Sequence, residues 1–205
     1  MTAALDLYLS EKFPGLKLES PLFYNADVGI RYEIGNPDPS VSDEEYKEQV
    51  YYRSTTLFKS SHQPNDDLFI VLFLDIRPRR RPYKLNVFKK GVRHKNTLRN
   101  LNCSTVTLSD GEETEGSESY RFVLSCKASD IKPITFLFSD YKICIVNQSR
   151  DTIFYFYDSR GLDIVANATA QLEGLYGKFN NWILDYDRKH IDSVFNSKIR
   201  TTPNN

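Results

Sequence analysis

Two acids and an arginine surround a glycine in the stretch FYFYDSRGLDIVAN: Asp158, Arg160, Gly161 and Asp163. Paired carboxylates beside a guanidinium are able to relay a proton or hold a charged ligand. The same residues also make a good turn. An Asp that opens a type I turn accepts hydrogen bonds from amides two residues on, and a glycine at positive φ closes it. The run TIFYFYD ends at Asp158 and LDIVA begins at Leu162, so DSRG falls where the chain reverses, as in a hairpin with a glycine bulge. The constellation contains no nucleophile with an oriented base, and Ser159 leaves it short of carboxylates for a metal. The structural reading comes first, with a contact by Arg160 as the remaining functional element.

A second candidate is WILDYDR, with Asp185, Asp187 and Arg188. Two residues apart on a helix, the carboxylates diverge by about 200°, so they converge only across a bend. Asp185 and Arg188 form an ordinary i,i+3 ion pair. A contact from Arg160 to Asp185 and Asp187 would join the two segments. Trp182 reads as a core anchor.

The third is a basic segment. From Arg77 to Arg99 there are ten Lys and Arg and no acid, including Arg77, Arg79, Arg80, Arg81, Lys84, Lys89, Lys90 and Arg93. Beside Tyr83 and Phe88, such a cluster suits phosphate contacts or an acidic protein partner; the bland alternative is a solvated loop and helix face. LSDGEETEGSESY follows with concentrated acids, the composition of an exposed loop. His62, His94 and His190 share no ligand spacing with Cys103, Cys126 and Cys144. No phosphate-binding glycine loop, G-x-S-x-G or H-E-x-x-H occurs. No catalytic or metal-ligating residue is assigned, and no cofactor is expected.

The elements that must position these residues follow from apolar spacing. Thr2 to Phe13 reads as a helix stopped at Pro14-Gly15. LFYNADVGIRYEIG reads as a hairpin around Asn25–Asp27. Ser42 with Glu45 forms a capping box for a helix from Asp43 to about Ser60. Asp67 to Ile76 is a buried strand. SYRFVLSCKA, YKICIVN and TIFYFYD are further strands, and residues 129–141 fit helix or strand equally. The segment from Asn167 to Phe195 reads as helical, capped by Asn167 or Thr169. Its stripe is Leu172, Leu175, Tyr176, Phe179, Trp182 and Ile183, and a second short helix carrying Ile191, Val194 and Phe195 follows a bend near Leu184–Asp187; Gly174 and Gly177 weaken its first half.

The 205 residues suffice for a substantial core. Aromatic content of 13% favours sheet, and zero net charge leaves electrostatic function to local segregation. The odd cysteine count without CxxC suits a reducing cytosol. The N-terminal segment lacks a signal-peptide pattern, and no apolar run reaches the ~20 residues of a membrane span.

The stretches FPGLKLESPLFYNADVGIRYEIG, YRSTTLF, IFYFYDSRGLDIVA and LYGKFNNWILDYDR resemble a family of uncharacterised proteins from Bacillus-like bacteria, classified as a domain of unknown function. The family's turn usually carries two consecutive acids, YDDRGLD; here the second is Ser159. The resemblance brings no catalytic residue. Some relatives stand near genes of polymorphic toxins, which implies an immunity role.

The expectation is an α+β domain over residues 1–196, with a mostly antiparallel, aromatic-rich sheet covered by helices and a flexible polar tail at 197–205. The N-terminal helix closes an edge or end. The expected function is a cytoplasmic, non-enzymatic protein-binding module whose partner is a toxin or another neighbouring gene product. Nucleic-acid binding through residues 77–99 is the alternative, followed by an unrecognised enzyme. No membrane association is expected, and the sequence leaves the oligomeric state open.

Overall fold

The longest apolar run in the chain, DLFIVLFLDI, is the spine of the fold. A computed structural model describes residues 2–19, 21–76, 86–106 and 118–196; the expected tail at 197–205 lies outside them. Strand β2 (Asp67–Ile76) pairs antiparallel with β4 (Glu118–Lys127) on one side and β5 (Ile143–Asn147) on the other. The other strands are β1 (Val28–Glu33), β3 (Leu101–Val106), β6 (Thr152–Phe156) and β7 (Gly161–Ala166). Among the described residues they make a seven-stranded sheet in the order β1-β7-β6-β5-β2-β4-β3, every neighbour antiparallel. The protein is therefore α+β, as its composition implies.

Both faces of the central strands are covered, which explains a continuous rather than alternating apolar run. Leu68, Ile70 and Leu72 of β2 join the larger core, while Phe69 and Val71 face the smaller one. Among the described residues the larger core receives five helices: α2 (Asp43–Ser61), α3 (Asn86–Gly91), α4 (Pro133–Leu137), α5 (Glu173–Lys178) and α6 (Asp185–Asn196). Helix α1 (Thr2–Lys12) lies on the opposite face with Leu5 fully buried, so it covers the sheet instead of closing an edge or end. Gly15, at φ 80°, lets the chain turn after it.

The start of α2 is legible in its sequence. Ser42 Oγ accepts from the Glu45 amide, and the Glu45 carboxylate accepts from the Ser42 amide, a complete capping box. Ser42→Ala is expected to cost about 1 kcal/mol in urea unfolding, since the alanine leaves an amide of the first turn without its acceptor. An unchanged midpoint would show that solvent replaces the cap.

Three expectations need correction. The hairpin around Asn25–Asp27 does not form: Leu22–Asn25 is a 3₁₀ turn, and β1 pairs with β7 instead. The stretch before the bend, residues 167–183, is not one helix, while the second short helix beyond it forms as α6. Helix α5 ends at Lys178, a short 3₁₀ turn spans Asn180–Trp182, and Ile183 is extended, bridging Tyr32. Gly174 and Gly177 weaken the first half, and consecutive asparagines offer the backbone alternative bonds. Neither Asn167 nor Thr169 caps a helix; Asn167 bonds to Asp151 and Gln171. Within residues 129–141 the ambiguous centre is helical, Pro133–Leu137 forming α4 with Pro133 at its first position, while Ile131 bridges Val92.

The break serves the sheet. The Ile183 bridge and the Leu184 amide, which donates to the Arg31 carbonyl at 2.9 Å, cover the outer edge of β1. An open edge would template pairing with another chain.

Candidate functional site

On the smaller-core face of β1, Arg31 stands directly opposite Asp163 of β7. Its Nε donates to Asp163 Oδ1 at 2.8 Å and a terminal nitrogen donates to Oδ2 at 3.2 Å. This two-point contact matches the planar fork of the guanidinium. The Phe23 amide donates to the same Oδ2 at 3.0 Å. The other terminal nitrogen lies 3.6 Å from Asp187 Oδ2, and the Tyr24 hydroxyl donates to Asp187 Oδ1 at 2.9 Å. Rings of Phe23, Tyr24 and Tyr157 lie 5.2, 4.6 and 5.3 Å from the guanidinium carbon, close enough for cation–π attraction. All three charged residues are buried, Asp163 completely.

Electrostatics follow from that burial. Burial pushes the Asp163 carboxyl above the usual carboxylate range, against the Arg31 hydrogen bonds and the Phe23 amide that hold it ionised. Burial works against the charge of Arg31, but the Asp163 hydrogen bonds and charge outweigh it and raise the guanidinium further. Asp187 lies in the first turn of α6, where the helix dipole favours a negative charge.

The expected contact between Arg160 and the two C-terminal acids does not exist. Arg160 is 84% exposed and pairs within its own turn, its Nε and a terminal nitrogen reaching Asp158 Oδ2. Asp158 Oδ1 accepts from the Arg160 and Gly161 amides. Burial raises the Asp158 carboxyl, but these bonds and the Arg160 charge bring it below its ordinary value. Asp185 pairs with Arg188 at 3.1 Å, and Arg188 also binds the Asn180 and Ile183 carbonyls, fastening the broken segment. Nor does Gly161 have a positive φ. Its requirement is space, because a Cβ there would strike the Tyr157 hydroxyl and lie 3.0 Å from the Tyr32 carbonyl.

The two motifs do meet, through Arg31, which sequence reasoning missed. The available signal was a lone arginine between Ile30 and Tyr32 in VGIRYEIG, on a strand whose other face is apolar. In the basic segment, Arg77, Arg79, Arg80, Arg81 and Lys84 lie outside the described residues. Lys89 and Lys90 are exposed at the end of α3, and Arg93 Nε donates to the Ile131 carbonyl.

A surface feature adjoins the DSRG turn. Tyr51 of α2 and Phe138, just after α4, stack with ring centroids 5.7 Å apart, although they are 47% and 42% exposed. With Val50, Leu137 and Phe156 they line an apolar groove of about 390 Å³, with Lys47 and Ser159 also on its walls. The Tyr46 hydroxyl donates to the Ser159 carbonyl and ties the turn to α2. Among the described residues no group of His, Cys, Asp and Glu is arranged to hold a metal ion, and no helix is long and apolar enough to cross a membrane.

The family Domain of unknown function (DUF3885) matches residues 5–187 of the chain. The uncharacterized protein YnaE of Bacillus subtilis (strain 168) is 25% identical over 205 residues, a match covering 87% of this chain and 96% of that protein. No solved structure matches.

Proposed function

The chain belongs to the DUF3885 family, a membership that supplies no activity, and from it we propose a non-enzymatic protein-binding module of the immunity type. One observation carries this reading. The ionic groups of its motifs are already paired with one another, buried around Arg31 or exposed in their own turns, while the stacked Tyr51–Phe138 pair stays half-exposed over an apolar groove. Scattered exposed apolar residues need no explanation, but a contiguous aromatic groove does. Lys47 on its wall supplies a cation, while Arg160 on the neighbouring turn is already paired with Asp158, so the partner presents an apolar side chain with a carboxylate beside it. The immunity assignment itself rests on the family resemblance and its toxin-gene neighbourhoods.

Co-expression with the products of adjacent genes, followed by size-exclusion chromatography, tests the proposal. A stoichiometric complex is expected with wild type, and Phe138→Asp should abolish it while leaving the melting temperature within a few degrees. Absence of a complex with every neighbouring product would overturn the reading, as would a complex indifferent to Phe138→Asp. Salt-sensitive nucleic-acid binding by the whole chain in place of a protein complex would favour the basic segment instead.

A further inference from the structure

The connection between β5 and β6, Gln148 to Asp151, is fastened far beyond the needs of a hairpin turn. Asp66, buried just before β2, accepts at Oδ2 from Asn147 Nδ2 at 2.8 Å, the Gln63 amide at 2.8 Å and Arg150 Nε at 2.7 Å. Asn147 Oδ1 accepts from the Ser149 amide, and Ser149 Oγ accepts from the Asp67 amide. On the other side, the Asp151 carboxylate accepts from the Tyr8 hydroxyl, Lys12 Nζ and Asn167 Nδ2. Asp151 has a φ of 50°, the left-handed region that Asp enters more readily than most residues with a Cβ but still at some cost. A strained residue and two buried polar side chains are therefore maintained to hold one four-residue turn.

What the turn presents is Arg150. Its Nε is taken by Asp66; among the described residues its two terminal nitrogens have no hydrogen-bond partner, and the side chain lines a cavity of about 800 Å³. Lys59 from α2 and Lys178 from α5 line the same cavity, as do Ser149 and Gln171, and Lys178 Nζ sits 5.0 Å from the Phe179 ring centroid. Asp66 balances Arg150 and Lys12 balances Asp151, so the two lysines leave the lining with an excess positive charge near two. Glu173 of α5 is not part of that lining. The volume lies in the range of small-molecule sites. A guanidinium oriented from behind by a carboxylate and offering two N–H groups matches a phosphate's oxygens.

We propose that this cavity binds a phosphorylated small molecule, its phosphate seated on Arg150 between Lys59 and Lys178. The site is independent of the aromatic groove and of any protein partner.

Calorimetry on the whole chain at low salt, with AMP, adenosine and inorganic phosphate as probes, tests it. AMP and inorganic phosphate should bind saturably below about 5 mM and adenosine should not. Arg150→Gln should weaken AMP about tenfold. Because that change also leaves Asp66 without its cation, Lys59→Gln and Lys178→Gln are read beside it. They are placed at the surface and should each weaken AMP about threefold to fivefold at an unchanged melting temperature. Undetectable binding of both phosphates overturns the proposal, as does AMP affinity unaffected by the two lysine variants. Equal binding of sulfate, abolished at moderate salt, would reveal a mere field effect and overturn it too. Saturable binding of single-stranded oligonucleotide with none of AMP would also overturn it.

Discussion

Arg31→Met is expected to lose about 4 kcal/mol of folding stability, measured by urea unfolding at neutral pH. Methionine fills much of the same volume and keeps contact with the Phe23, Tyr24 and Tyr157 rings, so the loss is mainly electrostatic. Asp163 is fully buried and would keep only the Phe23 amide as partner. Removing one member of a buried pair typically costs 3–5 kcal/mol, because the surviving charge stays desolvated. Asp163→Leu in the Arg31→Met background should recover part of the loss, since replacing both members with apolar groups removes the stranded charge. Arg160→Met should leave the unfolding curve unmoved, its side chain being 84% exposed and paired only within its own turn. A loss for Arg31→Met below about 1 kcal/mol would show that water reaches Asp163 and that the clamp is not dry.

The second large effect is a loss of stability in mild acid, governed by His62. The ring stacks on Phe58 at 4.1 Å between centroids and meets Phe154 edge-on. Its Nδ1 lies 3.0 Å from the Phe58 carbonyl, so the proton belongs there, while the buried Nε2 has no partner among the described residues. Charging the ring would add an N–H at Nε2 with nothing to accept it. Burial depresses the imidazole, the Phe58 carbonyl and Asp66 oppose this only in part, and Arg150 adds to it, leaving the ring at about 4. The unfolded chain takes up a proton near pH 6.5 and the folded one only near 4, so the stabilisation is complete above pH 6.5 and is lost as pH falls through that window. The shift corresponds to about 3 kcal/mol. His62→Phe keeps the stack and removes the titrating group, so its stability should be nearly flat from pH 6.5 to 4. Asp66 titrates separately. Burial raises its carboxyl, but the Gln63 amide, Asn147 and Arg150 lower it more, so its contribution disappears only below the ordinary carboxylate range. Parallel pH profiles for wild type and His62→Phe would assign the acid sensitivity elsewhere.

How legible this was in the sequence depends on the distance between partners. Helix α2 announces itself through Ser42 and Glu45, three residues apart, and the β6–β7 hairpin through aromatic alternation and an Asp-to-amide turn. These are local interactions. Strand β1 is legible as extended, but its partner is not, because Asn25–Asp27 has good turn chemistry, whereas the true partner, β7, lies more than a hundred residues away and leaves no mark on local pattern. The stripe from Leu172 to Ile183 was also misleading. Leu172, Leu175, Phe179 and Ile183 are buried as expected, but successive short turns place them there, and the glycines and asparagines that interrupt the helix were the better guide. Arg31 escaped notice since a single arginine in a strand resembles an ordinary solvent-facing residue until its opposite number is known.

The clamp also sets an order of events at the ribosome. Arg31 is separated from Asp163 by 132 residues, and Tyr24 from Asp187 by 163. At a synthesis rate of roughly 5–20 residues per second, the N-terminal strand waits about 7 to 26 seconds before its neighbours leave the exit tunnel. During that interval an edge-forming apolar segment has no mate within its own nascent chain, so the newborn protein is most in need of chaperone shelter at its beginning rather than its end.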